Sequence, residues 1–418
     1  MTAPHTNWAG NHTYHAARVH EPETIEELQR LVAAGGRLKA LGSRHSFNDI
    51  ADTPGAQISL ARLGPAPVLD PERRTVTVGG GIRYGELARE LHRAGFALHN
   101  LASLPHISVA GACATATHGS GNGNGNLATA VRELELVVAG GERVTLSRER
   151  DGERFNGAVV HLGALGVVSQ LTLDVVPVFE VRQDVYLDLP LDALESHFDA
   201  ITERGYSVSL FTDWQTDTVN QVWVKRLADG APSEAELFGA RPAPCRMHPI
   251  AALSAEACTE QRGIPGPWHE RLPHFRLDHT PSAGEELQSE YFVARQHALA
   301  AVRAVAALRE RLAPLLLISE VRTIAADSLW MSPCYGQACV ALHFTWKKDW
   351  PAVRELLPEL ETRLAPLNAR PHWGKLFTMP PERLDALFPR LADFRALARA
   401  FDPRGQFRNT FLERTLGM

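Results

Sequence analysis

A chain of 418 residues, 44% hydrophobic and 22% charged, is too long for one ordinary core and too evenly mixed for a disordered or fibrous protein, so two globular domains are expected. The formal net charge of −5 excludes the basic balance of a nucleic-acid or anionic-membrane partner. No apolar run approaches the roughly 18 residues of a membrane span. Residues 1–20 are polar and histidine-rich, without the apolar stretch of a secretory signal. Five cysteines with no Cys-x-x-Cys pair read as reduced thiols of a cytoplasmic protein, and 18 histidines without ligand spacing predict no metal centre.

In chain order, residues 22–34 open with Pro22 and acidic residues and then space apolar side chains by three and four, which predicts a capped helix ended by Gly35-Gly36. The β-leaning run 37–41 feeds into Gly42-Ser43-Arg44-His45-Ser46. Gly42 permits a backbone conformation in which successive N–H groups converge on an anion such as a pyrophosphate, and Ser43, Arg44 and Ser46 add donors. A plain strand-to-loop turn with a surface histidine fits the stretch equally well. No Gly-x-Gly-x-x-Gly opens a helix here, which argues against a nicotinamide fingerprint. Strands are expected over 57–60, 67–70 and 74–78, and a helix over 84–94 closed by Gly95. Almost every residue from Ser108 to Gly121 is small, so the backbone there can approach a flat or extended ligand closely. A hairpin over 131–138 and 142–146 follows, and then a strand over 169–176 entered through Gly166 and Val167.

Pro177 marks a boundary, giving domains of 1–176 and 177–366 and a C-terminal segment 367–418 that returns to the first. Strands are expected over 207–214 and 220–226, an irregular region over 227–284, and an Ala- and Arg-rich helix over 291–312. Strands over 315–324 and 338–347 and helices over 350–364 and 383–400 complete the pattern. Side chains two apart share a strand face, so Glu320 pairs with Arg322 and His343 with Thr345. Each pair belongs either to an amphipathic strand facing water or to a polar surface inside the protein. The apolar run before Glu320 and the apolar mix around His343 favour the interior, where Glu and Arg are rare without a partner or a task. Lys375 follows Trp373-Gly374, which suggests a packed location.

Taken together and in this order, Asn7-Trp8-Ala9-Gly10-Asn11, Gly42-Ser43-Arg44-His45-Ser46, the 108–121 stretch, Glu320-Val321-Arg322-Thr323, 341–346 and Pro371-His372-Trp373-Gly374-Lys375 resemble the vanillyl-alcohol-oxidase-type flavoproteins, and among them the bacterial alditol oxidases. The resemblance implies an α+β fold: an FAD-binding (PCMH/VAO-type) domain and a substrate domain whose mixed or antiparallel sheet roofs the flavin. It assigns FAD binding to Leu41, Gly42, Ser43, Arg44, His45, Ser46 and Phe47 in the first loop, and to Ser103, Ser108, Gly111, Ala114, Thr115, Thr117 and His118 in the second. Gly166, Val167 and His372 complete that set. His45 matches the covalent attachment position; alditol oxidases often have glycine before that histidine, and here the residue is Arg44.

The implied reaction carries hydride from the terminal carbinol carbon, C1, of an alditol such as xylitol or sorbitol to flavin N5. The product is the aldose, and O2 reoxidises the flavin to give hydrogen peroxide. Lys375, Arg322 and Glu320 are the implied catalytic residues; Ser103, Glu320, Arg322, His343, Thr345 and Lys375 line the polyol. The expected partners are the polyol and O2, with no nucleic acid or membrane, and the chain is expected to be a monomer. The nearest rival is a sugar-lactone oxidase or dehydrogenase of the same superfamily. A carbohydrate-binding protein without flavin and a histidine-ligated metal hydrolase stand further off.

Overall fold

The computed structural model describes residues 5–64, 66–279 and 284–418; parts of the N-terminal stretch and of the irregular 227–284 region therefore lie outside the described residues. The chain opens with a three-stranded parallel sheet in which Ala56–Ser59 lies between Arg18–His20 and Leu38–Leu41. The crossover is the helix Ile25–Ala33, whose first turn is capped by the Thr24 side chain accepting from Glu27 N. Such a cap contributes about 1 kcal/mol. The helix buries Leu28 and Val32 against Leu38, Ile58, Val137 and Phe407. A five-stranded antiparallel sheet follows, in the order Val68–Asp70, Thr75–Gly79, Val167–Asp174, Val131–Val137, Arg143–Ser147.

The larger sheet has nine strands and pairs antiparallel throughout. Its centre runs Ser207–Thr212, Leu316–Ile324, Cys339–Lys347, Glu286–Ala294. One face carries Leu287, Tyr291, Val321, Leu342 and Phe344 into the main apolar core with the helices Ala298–Ala306 and Trp350–Leu364. The buried Tyr291 hydroxyl is satisfied by Glu361 Oε1 at 2.8 Å. The opposite face carries the polar side chains.

Two expected helices are corrected. Residues 291–294 are the end of the strand Glu286–Ala294, and the helix begins only at Ala298. Tyr291, Phe292 and Val293 favour a pleated, half-buried surface, and a neighbouring strand on each side satisfies their backbone. The expected helix 383–400 is two helices, Pro381–Leu387 and Leu391–Phe401, because Pro389 lacks the N–H a continuous helix needs. The C-terminal segment packs back on the first sheet: Phe407 is fully buried in its core, Leu38 N donates to Gln406 O at 2.8 Å, and Asn409 Nδ2 donates to Asp52 O at 2.8 Å.

Candidate active site

One long cleft runs between the two N-terminal loops and the polar face of the large sheet. Its lining includes 41–47, Gly80-Gly81, Ile107-Ser108, 110–112, Ala114-Thr115 and 161–163 from the N-terminal part of the chain, and Ser103, Glu290, Glu320, Arg322, His343 and Lys375 around the polar sheet face. The loops are cross-tied. Ser108 N donates to Ser43 Oγ at 3.0 Å, and a Cβ on Gly42 or Gly111 would stand 2.5 or 2.7 Å from Ser108 Oγ. Arg44 has φ +63°, the left-handed conformation glycine takes at least cost, and its carbonyl accepts from Trp8 N at 2.8 Å. This places the Trp8 ring over the His45 ring, with centroids 5.3 Å apart and planes inclined by 20°. Burial pushes His45 down to about 4, so its imidazole is neutral, and its buried Nδ1 has no hydrogen-bond partner among the described residues.

The sheet aligns the polar wall by register. Phe211 stands opposite Glu320, Glu320 opposite His343, and His343 opposite Glu290, so one row crosses four strands. Two hydrogen-bonded groups form on this row. In the first, Glu320 Oε2 accepts from Arg322, Arg322 Nη2 donates to Ser103 Oγ at 2.7 Å, and Glu320 Oε1 lies 2.8 Å from His274 Nε2. A carboxylate accepts only, so His274 carries its proton on Nε2. Its Nδ1 lies 3.2 Å from Lys225 Nζ, which also donates to the carbonyls of Leu272 and Pro273. In the second group, Lys375 Nζ lies 2.7 Å from Glu290 Oε2 and 2.8 Å from His343 Nδ1. His343 Nε2 then donates to Thr345 Oγ1 at 3.0 Å. His118 Nε2 stands 3.2 Å from the second oxygen of Glu290.

The backbone explains why Lys375 meets Glu290. His372 N donates to Glu290 O at 3.0 Å and Leu376 N to Gln288 O at 2.8 Å, so the 370–376 segment runs along the edge of that strand. Asn48 Nδ2 donates to the carbonyls of Trp373 and Lys375, each at 2.8 Å, and joins the His45 loop to the same turn.

The electrostatics separate the roles. Burial works to raise Glu320, but Arg322 and His274 overcome it and hold the carboxyl well below the carboxylate range. Glu290 is held low in the same way by Lys375 and His118. Burial pushes His274 down to about 4, and burial with the neighbouring Lys375 holds His343 well below its ordinary value. Burial lowers Lys375, and Glu290 opposes that fall.

Along its length the chain is 53% identical over 418 residues to alditol oxidase of Streptomyces sp. (strain IKD472 / FERM P-14339), covering 99% of this chain and 99% of that protein. The FAD binding domain family matches residues 16–147. The chain belongs to the vanillyl-alcohol-oxidase-type FAD flavoproteins. Within this flavoprotein group, the D-arabinono-1,4-lactone oxidase family matches residues 283–415. L-gulono-1,4-lactone dehydrogenase of Mycobacterium tuberculosis (strain CDC 1551 / Oshkosh) is 29% identical over 439 residues, covering 99% of each protein. The solved structure of cholesterol oxidase from B. sterolicum superposes with a TM-score of 0.80 at 16% identity, over 99% of this chain and 96% of that one, which is a likeness of fold.

As a flavoprotein of this group the protein is an FAD-dependent oxidoreductase, and the cleft fits FAD. Its glycine-lined walls leave no room for side chains between the loops, and the orphaned His45 nitrogen lies in the wall. All the residues expected to touch cofactor or substrate line this one cleft except Gly166 and Val167. A Cβ on Gly166 would stand 2.6 Å from Val137 O, Val167 is buried beside Val137, and His161, Leu162, Gly163 and Val168 reach the cleft nearby. Three residues of the wall carry weak sequence signals. Glu290 shares the alternation Glu286, Gln288, Glu290 on a strand masked by the Ala-rich helix that follows. His274 lies in an irregular segment and reaches Glu320 only through tertiary structure. Lys39 is fully buried at the cleft floor, donating to Gly163 O at 3.0 Å.

Proposed function

We propose that the protein oxidises the terminal carbinol of an alditol such as xylitol or sorbitol to the aldose and passes the electrons to O2, giving hydrogen peroxide. The observation that carries this reading is the convergence of the Arg322–Glu320 pair and the Lys375–Glu290 pair on one buried sheet face beside His45. Bound FAD supplies the hydride acceptor and the site of oxygen reduction. The chain's own residues bind and orient the polyol and move its hydroxyl proton.

A polyol needs donors and acceptors spaced along a wall, and the row from Ser103 through Arg322, Glu320 and Thr345 offers both. Glu320 serves as an acceptor for substrate hydroxyls; held ionised by Arg322 and His274, it is a poor base. The proton acceptor is Lys375. Paired with Glu290 as the ammonium, it acts as a base once deprotonated; its two hydrogen bonds, to Glu290 Oε2 and His343 Nδ1, then use both N–H bonds of the amine and leave the lone pair for the carbinol proton. After the proton moves, the new N–H donates to the oxygen of the product, next to Arg322, which also stabilises developing negative charge there.

His45, neutral and with an Nδ1 that has no hydrogen-bond partner among the described residues, is the proposed covalent anchor for the FAD 8-methyl carbon. Acid precipitation tests this: yellow colour stays with the pellet if the anchor forms and goes into the supernatant if it does not. All five cysteines are free, which supports a reducing, cytoplasmic location, and we propose a monomer. Among the described residues no helix is long and apolar enough to cross a membrane. Purified enzyme given xylitol, sorbitol and L-gulono-1,4-lactone in turn, with peroxide measured, tests the substrate. Peroxide with the polyols supports the reading; turnover of the lactone alone replaces it with a lactone oxidase.

A further inference from the structure

Outside the cleft, the N-terminal segment and the turn before the strand Ala56–Ser59 bring three metal-ligating atoms to one place. His12 Nε2, His15 Nδ1 and Asp52 Oδ2 all lie within 4.8 Å of one another. Asp52 Oδ2 is 3.0 Å from His12 Nε2 and 2.7 Å from His15 Nδ1. The other carboxylate oxygen is already used: Oδ1 accepts from His15 N and Thr53 N, each at 2.8 Å. The carboxylate is thus fixed in orientation, with Oδ2 turned toward two imidazoles. The backbone beneath is fixed as well. His12 N donates to Asn7 Oδ1 at 3.1 Å, Tyr14 N to His5 O at 2.7 Å, and Asp52 O accepts from Asn409.

We propose that His12, His15 and Asp52 form a surface site for one divalent transition-metal ion of the zinc class. Two imidazoles and one carboxylate are a zinc-type ligand set, and water completes it. The His12 and Asp52 side chains are 19% and 11% exposed and that of His15 is 76%, so the site is walled on two sides and open to solvent on the third. In a tetrahedral site with bonds of roughly 2.0–2.1 Å the ligand atoms stand about 3.3 Å apart. Rotation of the exposed His15 ring opens its 2.7 Å contact to that spacing, and the 3.0 Å contact of His12 needs a shift of only about 0.3 Å. The ion takes the place of the hydrogens now directed at Oδ2: a neutral ring moves its proton to the nitrogen facing away, and a protonated ring releases one proton to solvent.

The site has a structural consequence for the cleft. Asn7 Nδ2 donates to Ser46 O at 2.9 Å and Asn11 Nδ2 to Phe47 O at 2.8 Å, so the segment that carries His12 also carries the Trp8 ring over His45. A bound ion would pin this segment to the turn at Asp52.

The test is calorimetric titration of the chelator-treated, desalted, tag-free holoenzyme with zinc chloride in a non-coordinating buffer near neutral pH. One equivalent should bind with micromolar or tighter affinity, and the thermal midpoint of the wild type should rise with zinc. The exposed His15→Ala, which removes little packing, and the near-isosteric Asp52→Asn should each weaken that equivalent at least tenfold and abolish the thermal shift. No saturable binding by the wild type overturns the proposal. Binding and thermal shift unchanged in both variants also overturn it, since the zinc would then sit on other histidines.

Discussion

Glu290 Oε2 lies 2.7 Å from Lys375 Nζ across 85 residues of sequence, with Glu290 side-chain exposure of 1%. A carboxylate so deeply buried is stable only as the partner of a charge, and here it sets the charge of the residue that takes the substrate proton. Glu290 raises Lys375 against the lowering effect of burial.

Glu290→Gln removes that support and leaves an amide of the same shape. The rate should rise with pH through the Lys375 titration in the wild type, at a pH below the ordinary lysine value of 10.5. In Glu290→Gln the same limb should move to lower pH, by roughly one to three units. A pH profile of kcat checks this, and a limb that stays in place detaches Glu290 from the titrating group.

Lys375→Met keeps the stem and removes the amine. Loss of a general base costs about 10²–10⁴-fold in rate. The expected result is a fall of that size in kcat with the flavin spectrum and content unchanged, measured by peroxide release under saturating polyol.

Glu320→Ala leaves Arg322, 8% exposed at its side chain, without its carboxylate. Breaking a buried pair from one side destabilises by about 3–5 kcal/mol, whereas Glu320→Gln retains an acceptor and should cost less. Denaturant unfolding of the two variants measures the difference.

Acid should destabilise the fold below the ordinary histidine value of 6.5. Burial lowers His274 to about 4, and His161 and His372 to about 3. A histidine with a depressed folded value binds its proton more weakly in the folded state, so the unfolded chain takes up protons first as pH falls. Stability is then full above about 6.5 and declines from there down to the folded values. Unfolding free energies at pH 7.5 and pH 5 should differ in that direction; equal values would place these rings in solvent.

Much of the site was legible in the sequence where its signal is local. Gly42 announces a backbone that can converge on an anion, Ser108 to His118 announce close backbone approach by their small residues, and the alternations Glu320/Arg322 and His343/Thr345 place each pair on one face. Their burial, left open by pattern alone, follows from the N-terminal loops that line the same cleft over that face. Glu290 was hidden because the helical spacing of 298–306 reads backward into Tyr291–Ala294, and only pairing with Cys339–Lys347 makes that stretch a strand. His274 is placed by Lys225 and by His274 N donating to Ser103 O at 3.1 Å, contacts that no local spacing encodes. Gly166 reads as a ligand contact or as a tight turn before a strand, and the close approach of Val137 O to its missing side chain accounts for a glycine there on packing grounds.

The most direct test is an anaerobic absorbance scan of purified enzyme before and after xylitol. The oxidised flavin band should bleach with wild type, return when air is admitted with release of peroxide, and bleach far more slowly in Lys375→Met. A flavin band that xylitol leaves untouched in the wild type contradicts the proposed chemistry.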